Sequence, residues 1–189
     1  MRHLNSYLNT VDILPLKEYC MAVGRLSEYS PGECFQTGGC SVRSFGFLVS
    51  GSVRYCCQAA DGREFNVGYA FDEAFIGDYS AYLRGAPADM SISVLDKASV
   101  WVISGEQLHD FVCSSEENRD LFSNIANDLF IRMQDRLLDF YILSPEERYI
   151  KIMREFPYLF TRIALKELAS YIGITPEALS RIRKRISKV

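Results

Sequence analysis

Apolar residues recur along this chain with more than one rhythm, and each rhythm predicts a different kind of element. Near the C-terminus Leu165, Leu168, Ala169 and Ile172 stand at i, i+3, i+4 and i+7, which gathers them on one face of a helix. Gly173 ends that helix, because the position just past a helix end commonly needs a positive φ that only glycine adopts without steric cost. Thr175 as N-cap and Pro176 as first helical residue restart the chain at once, and the second helix, 176–186, turns Leu179, Ile182 and Ile186 inward. At 100° per residue its other face collects Glu177, Arg181, Lys184 and Lys188. Two short helices around a glycine corner, apolar behind and long-chained polar in front, make a helix-turn-helix.

Upstream the rhythm differs. Residues 4–24 carry apolar positions in mixed spacing, read as one or two short helices around Pro15 that pack as a flap. From Leu26 the chain breaks into short runs rich in β-branched and aromatic residues: Phe45 to Val49, Val53 to Cys57, Phe65 to Tyr69, Ile92 to Leu95 and Val100 to Ile103. Turn residues separate them, and Asp61-Gly62 between two runs predicts a type I′ hairpin. Many short strands at this spacing imply a small barrel or sandwich. A long helix follows, with Ser114 as N-cap and Glu117 completing a capping box. Its stripe Phe122, Ile125, Leu129, Met133, Leu137 and Phe140 runs beside a second row, Leu121, Phe130, Leu138 and Tyr141, so the apolar arc is wide enough for two partners. Ser144-Pro145-Glu146-Glu147 repeats the start signal and marks a hinge. Residues 145–155 then form a helix that Pro157 stops, with Tyr149, Ile152, Met153 and Phe156 seating the C-terminal unit.

Composition narrows the class. With 48% hydrophobic and 24% charged residues the chain is globular. No basic-then-apolar leader and no apolar run near about 18 residues is present, so a cytoplasmic protein without a membrane partner is expected. Six cysteines, at 20, 34, 40, 56, 57 and 113, include no CxxC and are expected to be reduced and mostly buried. His3 and His109 are too few for a zinc site, so no metal or cofactor is expected. Charge changes sign along the chain: residues 144–189 hold 10 Lys and Arg against 5 Asp and Glu, residues 1–143 hold 11 against 19. A basic end on an acidic body suits a protein that meets phosphate at one end only, so double-stranded DNA is the expected partner, ahead of a solvated helical hairpin.

The order Pro31-Gly32-Glu33, Phe47-Leu48-Val49-Ser50-Gly51-Ser52-Val53-Arg54, Asp61-Gly62-Arg63-Glu64, Phe75-Ile76-Gly77-Asp78 resembles the cyclic-nucleotide-binding β-roll of the Crp/Fnr (catabolite activator) family of bacterial regulators. With the helix-turn-helix, the resemblance covers nearly the whole chain. It implies an α+β fold: a double-stranded β-roll (jelly roll) sensor domain over 1–113, a dimerisation helix over 114–143 and a helix-turn-helix domain over 144–189, with little or no wing because the chain stops at Val189. It implies a homodimeric transcription regulator, an activator with RNA polymerase as a further partner, whose long-helix stripe is the dimer seam. Base-reading positions fall on Glu177 and Arg181, with Pro176 where the best-known member has arginine. Thr175 is expected on phosphate, and Lys184, Arg185 and Lys188 on backbone.

The candidate ligand pocket is Gly77, Asp78, Tyr79, Arg84, Ala88 and Asp89. Cyclic-nucleotide binders of the family carry Gly-Glu for the ribose hydroxyl and, about ten residues on, an arginine for the cyclic phosphate. Here the acid is Asp78, Ala88 stands in the arginine's place with Asp89 beside it, and Arg84 is the nearest cation. A carboxylate facing an unpaired phosphate opposes binding, so cAMP is not the expected effector and a small-molecule effector stays unidentified. The alternative function is a regulatory module that acts through protein contacts instead of DNA. No nucleophile, base and orienter stand in a recognisable pattern, and an enzyme is not expected.

Overall fold

The structure, a computed structural model, describes residue 4 and residues 6–187. A 3₁₀ turn, Ser6–Asn9, and helix α1, Leu14–Val23, lead into eight strands. These are β1 (Arg25–Tyr29), β2 (Cys34–Gln36), β3 (Ser44–Ser50), β4 (Ser52–Gln58), β5 (Glu64–Phe71), β6 (Ala74–Ile76), β7 (Ser91–Val94) and β8 (Ala98–Ser104), with a short helix α2 (Tyr79–Leu83) between β6 and β7. They form two antiparallel sheets, ordered β1-β8-β3-β6 and β2-β7-β4-β5. Leu48, Val53, Ala70, Ile76, Ile92, Val94 and Val100 close the core between them. The β-roll is therefore an α+β body with helices added at one end.

All five strands expected from apolar runs are present, while the short edge strands β1, β2 and β6 emerge only in three dimensions. Pro15 does not divide two helices; it sits in the first turn of α1, where its missing N–H costs nothing. The Asp61-Gly62 hairpin is not type I′. Only Gly62 has positive φ, 83°, and Gly62 N–H donates to the Ala59 carbonyl while Ala59 N–H donates to that of Arg63. That is a turn closed by one left-handed glycine, which relieves Asp61 of the second positive φ.

After β8 an unforeseen helix α3, Gly105–Ser114, is capped by Ser104 and Gln107 and lays Leu108 and Phe111 on the roll. The long helix α4 is Glu116–Ile142. Its N-cap is Ser115, accepting from Asn118 N–H; Ser114 belongs to α3 and donates to the Phe111 carbonyl, so the expected capping box does not form. Ser144 and Glu147 do form a capping box at α5, Pro145–Glu155, and a short α6, Leu159–Arg162, follows the Pro157 break. Helices α7 (Leu165–Ile172) and α8 (Pro176–Ile186) complete the chain.

The C-terminal helices do not hang free. Tyr149, Phe156, Leu159, Leu168, Ile172, Leu179 and Ile182 share one buried cluster with Tyr69 and Phe71 of β5 and with Leu4. Among the described residues no helix is long and apolar enough to cross a membrane. Gly173 between α7 and α8 has φ 75°, and a Cβ there would stand 2.6 Å from the Phe140 ring. Replacement by alanine meets both the left-handed strain and that ring. Gly173→Ala should therefore lower unfolding free energy by about 2 kcal/mol; a urea midpoint equal to wild type would show that neither constraint matters.

Candidate functional site

In the helix-turn-helix, Ala169 is fully buried where the two helices approach and Leu179 and Ile182 back α8 against the core. Leu165 departs from expectation: it is exposed at the first turn of α7. On α8, Thr175, Pro176, Glu177, Ser180, Arg181, Arg183, Lys184 and Arg185 are all exposed. Thr175 accepts from Ala178 N–H and so caps the helix. The Glu177 carboxylate is held below its usual range by its own backbone N–H, by the Thr175 hydroxyl and by the charge of Arg181. It is thus ionised at neutral pH and tied to the cap. Arg185 pairs with Glu146 of α5, which makes it a brace for α8 as much as a phosphate contact. Lys188 lies outside the described residues. Ser180 and Arg183, not singled out in the sequence, extend the exposed polar face at the expected helical spacing.

The stripe on α4 divides. Phe122 and Ile125 are buried in the cluster that joins α1, α3 and the roll, so they are not seam residues. Farther along, Leu129 and Phe140 are part-exposed, Leu137 is 57% exposed and Met133 72%. Phe140 faces Gly173 and carries the guanidinium of Arg148 4.6 Å above its ring, so it serves the helix-turn-helix. The exposed second row is wider than expected, with Phe130, Leu138, Tyr141 and Ile142 all in solvent. Four cation-bearing side chains tie the C-terminal unit to the rest. Arg136 of α4 donates to the carbonyls of Val67, of Asn66 at 3.4 Å and of Tyr171 at 2.8 Å, and lies 3.9 Å above the Tyr171 ring. Arg148 donates to Ile172 and Leu143 carbonyls at 3.1 and 2.7 Å, and burial pulls its pKa down from the usual value. Arg54 of β4 faces Glu167 of α7 at 3.4 Å; burial works against its charge, and Glu167, Cys56 and Glu64 more than offset that. Arg162 holds Asp72 at 2.8 Å.

The six pocket candidates form one linked group, since Asp89 N–H donates to Asp78 and Arg84 pairs with Asp89, but they divide in what they face. Gly77, Asp78 and Tyr79 line a cavity beside α4; Arg84, Ala88 and Asp89 do not. Gly77 has φ 154° and a Cβ there would lie 2.3 Å from the Phe45 ring, so glycine is required by packing. Asp78 is 2% exposed and both oxygens of its carboxylate are already engaged. One oxygen accepts from Ala81 N–H and the Ser80 hydroxyl, each at 3.0 Å, and the other from Asp89 N–H at 3.1 Å, so it is the N-cap of α2. Arg84 is paired with Asp89 in the open. Neither a free carboxylate for a ribose nor a free cation for a phosphate remains at these positions. The cysteines also depart from expectation: Cys20 and Cys56 are buried and Cys57 partly so, but Cys34, Cys40 and Cys113 are exposed, and all six are free. Burial pushes the Cys20 thiol up to about 12.

The architecture of roll, long helix and helix-turn-helix defines the fold of the Crp/Fnr regulators. The global regulator CLP of Xanthomonas campestris, described as c-di-GMP-responsive, superposes with TM-score 0.75 over 94% of this chain and 92% of its own, at 18% identity. FixK2 of Bradyrhizobium japonicum does so with TM-score 0.76 over 88% and 85%, also at 18% identity. A transcriptional regulator assigned to the crp/fnr family from Eubacterium rectale gives 0.73 over 96% and 86%, at 14% identity. At these identities the likeness is one of fold. More particularly, residues 26–115 match the family model of the cyclic nucleotide-binding domain. No curated protein is similar to the chain in sequence.

Because three donors converge on a buried carboxylate, Asp78→Ala should lower stability by about 2–3 kcal/mol. Chemical denaturation measures this, and a variant as stable as wild type would free Asp78 for a role in binding.

Proposed function

We propose that this chain is a homodimeric, DNA-binding transcription regulator whose helix α8 enters the major groove, and that cAMP is not its effector. The observation that carries the reading is the exposed face of α8: Glu177, Ser180, Arg181 and Lys184 lie in solvent while Leu179 and Ile182 fix the helix from behind. A helix is narrow enough for the groove, arginine donates twice to guanine, and the helix N-terminus favours phosphate at Thr175. Homodimerisation is supported by the solvent-facing apolar row on α4, Met133, Leu137, Leu138 and Tyr141, which a second copy of the same helix would cover. Two half-sites then meet two recognition helices.

A selected-sequence binding assay on the purified protein tests the class and finds the half-site. On the selected duplex, Arg181→Ala should weaken specific binding by about 1–3 kcal/mol and relax preference at one base pair per half-site. Lys184→Ala should weaken all sequences alike and flatten the salt dependence by about one unit per site. Identical losses on every sequence from both changes would mean that α8 does not read bases; no enrichment of any sequence would favour action through protein contacts.

Met133→Asp places a charge where the monomer is already open, so the fold should survive and the dimer should not. Sedimentation should show dimerisation weakened by about 100-fold or more, with DNA binding falling in step. Wild-type protein that sediments as a monomer at working concentration contradicts the seam.

For the effector, calorimetry with cAMP should give no saturable heat at micromolar ligand, since the phosphate arginine is Ala88 and the Asp78 carboxylate is engaged. Micromolar binding, abolished by Arg84→Ala, would show that Arg84 leaves Asp89 to meet the phosphate.

A further inference from the structure

His109 and Cys113 stand one turn apart on the solvent face of α3, and both are exposed. A spacing of i, i+4 sets two side chains over one another on a helix surface. The Cys113 sulfur lies 3.6 Å from His109 Nε2 and 4.0 Å from Nδ1. The backbone beneath them is fixed, because Ser104 and Gln107 cap α3 and Leu108 and Phe111 bury its other face in the roll. The two side chains above it are free to turn in solvent.

A thiol and an imidazole at this separation suit one kind of guest. Zinc-type bonds of about 2.3 Å to sulfur and about 2.0–2.1 Å to nitrogen, opened to the tetrahedral angle, put the two donor atoms about 3.5–3.6 Å apart. The distance from the sulfur to Nε2, 3.6 Å, matches that bite. Hard cations such as magnesium and calcium take oxygen ligands and gain little from either donor. Cys34, exposed as well, meets a hydroxyl instead, Ser93 Oγ at 3.6 Å, and so lacks the nitrogen. Glu106 and Asp110, exposed within a turn of the pair, add negative charge that draws a cation to this side of α3. Among the described residues no three His, Cys, Asp or Glu side chains gather in a metal-holding group, so water must complete the coordination. A structural zinc site has four protein ligands; two give an exchangeable ion. Counting histidines alone overlooks the pair, since its second ligand is a cysteine.

We propose that His109 and Cys113 form a solvent-exposed two-ligand site for a divalent ion of the zinc type. The thiol proton leaves to solvent as the sulfur takes the metal. The bound ion staples the last two turns of α3, which ends one residue before α4 begins. The site uses no residue of α8 or of the exposed α4 row, so its test stands whether or not the chain binds DNA or dimerises.

The probe is Co²⁺, titrated into the full chain under a phosphine reductant and read by the near-ultraviolet charge-transfer absorption that a thiolate–cobalt bond gives. One saturable ion per chain is expected, displaced by Zn²⁺ and not by Mg²⁺. Cys113→Ser should abolish the absorption, and His109→Ala should weaken Co²⁺ by about tenfold or more. Both positions are exposed, so circular dichroism of the variants should match wild type. Cys34→Ser and Cys40→Ser, at the other exposed thiols, should leave the affinity within about twofold. The proposal falls if the absorption survives Cys113→Ser, or if Cys34→Ser or Cys40→Ser removes it, since other thiols then build the site. His109→Ala binding as well as wild type would reduce the site to a single thiol and overturn it too. So would saturation at one ion per two chains, which would assign the metal to a bridge between copies.

Discussion

The Arg136 guanidinium is the point on which the arrangement of this chain turns. It reaches from the middle of α4 to the carbonyls of Asn66 and Val67 on the roll and of Tyr171 at the end of α7, with its plane over the Tyr171 ring. Five donors in a rigid fork suit three carbonyls on two elements, which a lysine could not match. Charge-assisted bonds of this kind contribute on the order of 1.5–3 kcal/mol each, and an acceptor stripped of its donor in a part-buried site is costly. One side chain thus sets where the helix-turn-helix sits on the roll. Glu167 reinforces the dock from α7, accepting from the Asn66 amide at 2.5 Å and facing Arg54, while Tyr69 donates to the Glu167 carbonyl at 3.0 Å.

That dock explains how α4 serves several purposes. At 27 residues it is about 40 Å long. Its first turns bury Phe122 and Ile125 in the roll; its middle supplies Arg132 and Arg136 to the C-terminal unit; its outer side leaves Met133, Leu137 and Tyr141 in solvent. Docked on one face and open on the other, the helix can join two copies without giving up its hold on either recognition helix. Buried α7 and exposed α8 follow from the same placement, because the α7 face that carries Glu167, Ser170 and Tyr171 is the one turned to β5.

Elements with local causes were legible in the sequence. The helix-turn-helix follows from apolar spacing, a cap and a glycine, and all three are present as read, save that Leu165 at the first turn of α7 faces water. The central strands follow from β-branched runs. Arg25–Tyr29 has no such run and becomes a strand only because β8 pairs with it. Ser114 and Ser115 are equivalent in sequence, and the packing of α3 decides which caps α4. At the pocket, Gly77-Asp78 could be found by its place in the chain, but its role could not: the N–H groups of Ala81 and Asp89 that occupy the carboxylate come from the next turn and from a residue 11 positions on. Arg136 carried no signal, since a lone arginine on a polar helix face looks like any solvated one until β5 and α7 close around it.

If Arg136 holds the helix-turn-helix on the roll, its loss must loosen that unit and not the β-roll. Hydrogen exchange by mass spectrometry on wild type and Arg136→Met reports both in one experiment. Amides of 165–172 should exchange at least about tenfold faster in the variant, with those of β3, β4 and β8 unchanged. Equal protection of α7 in the two proteins would mean that the dock stands without Arg136 and would contradict the account.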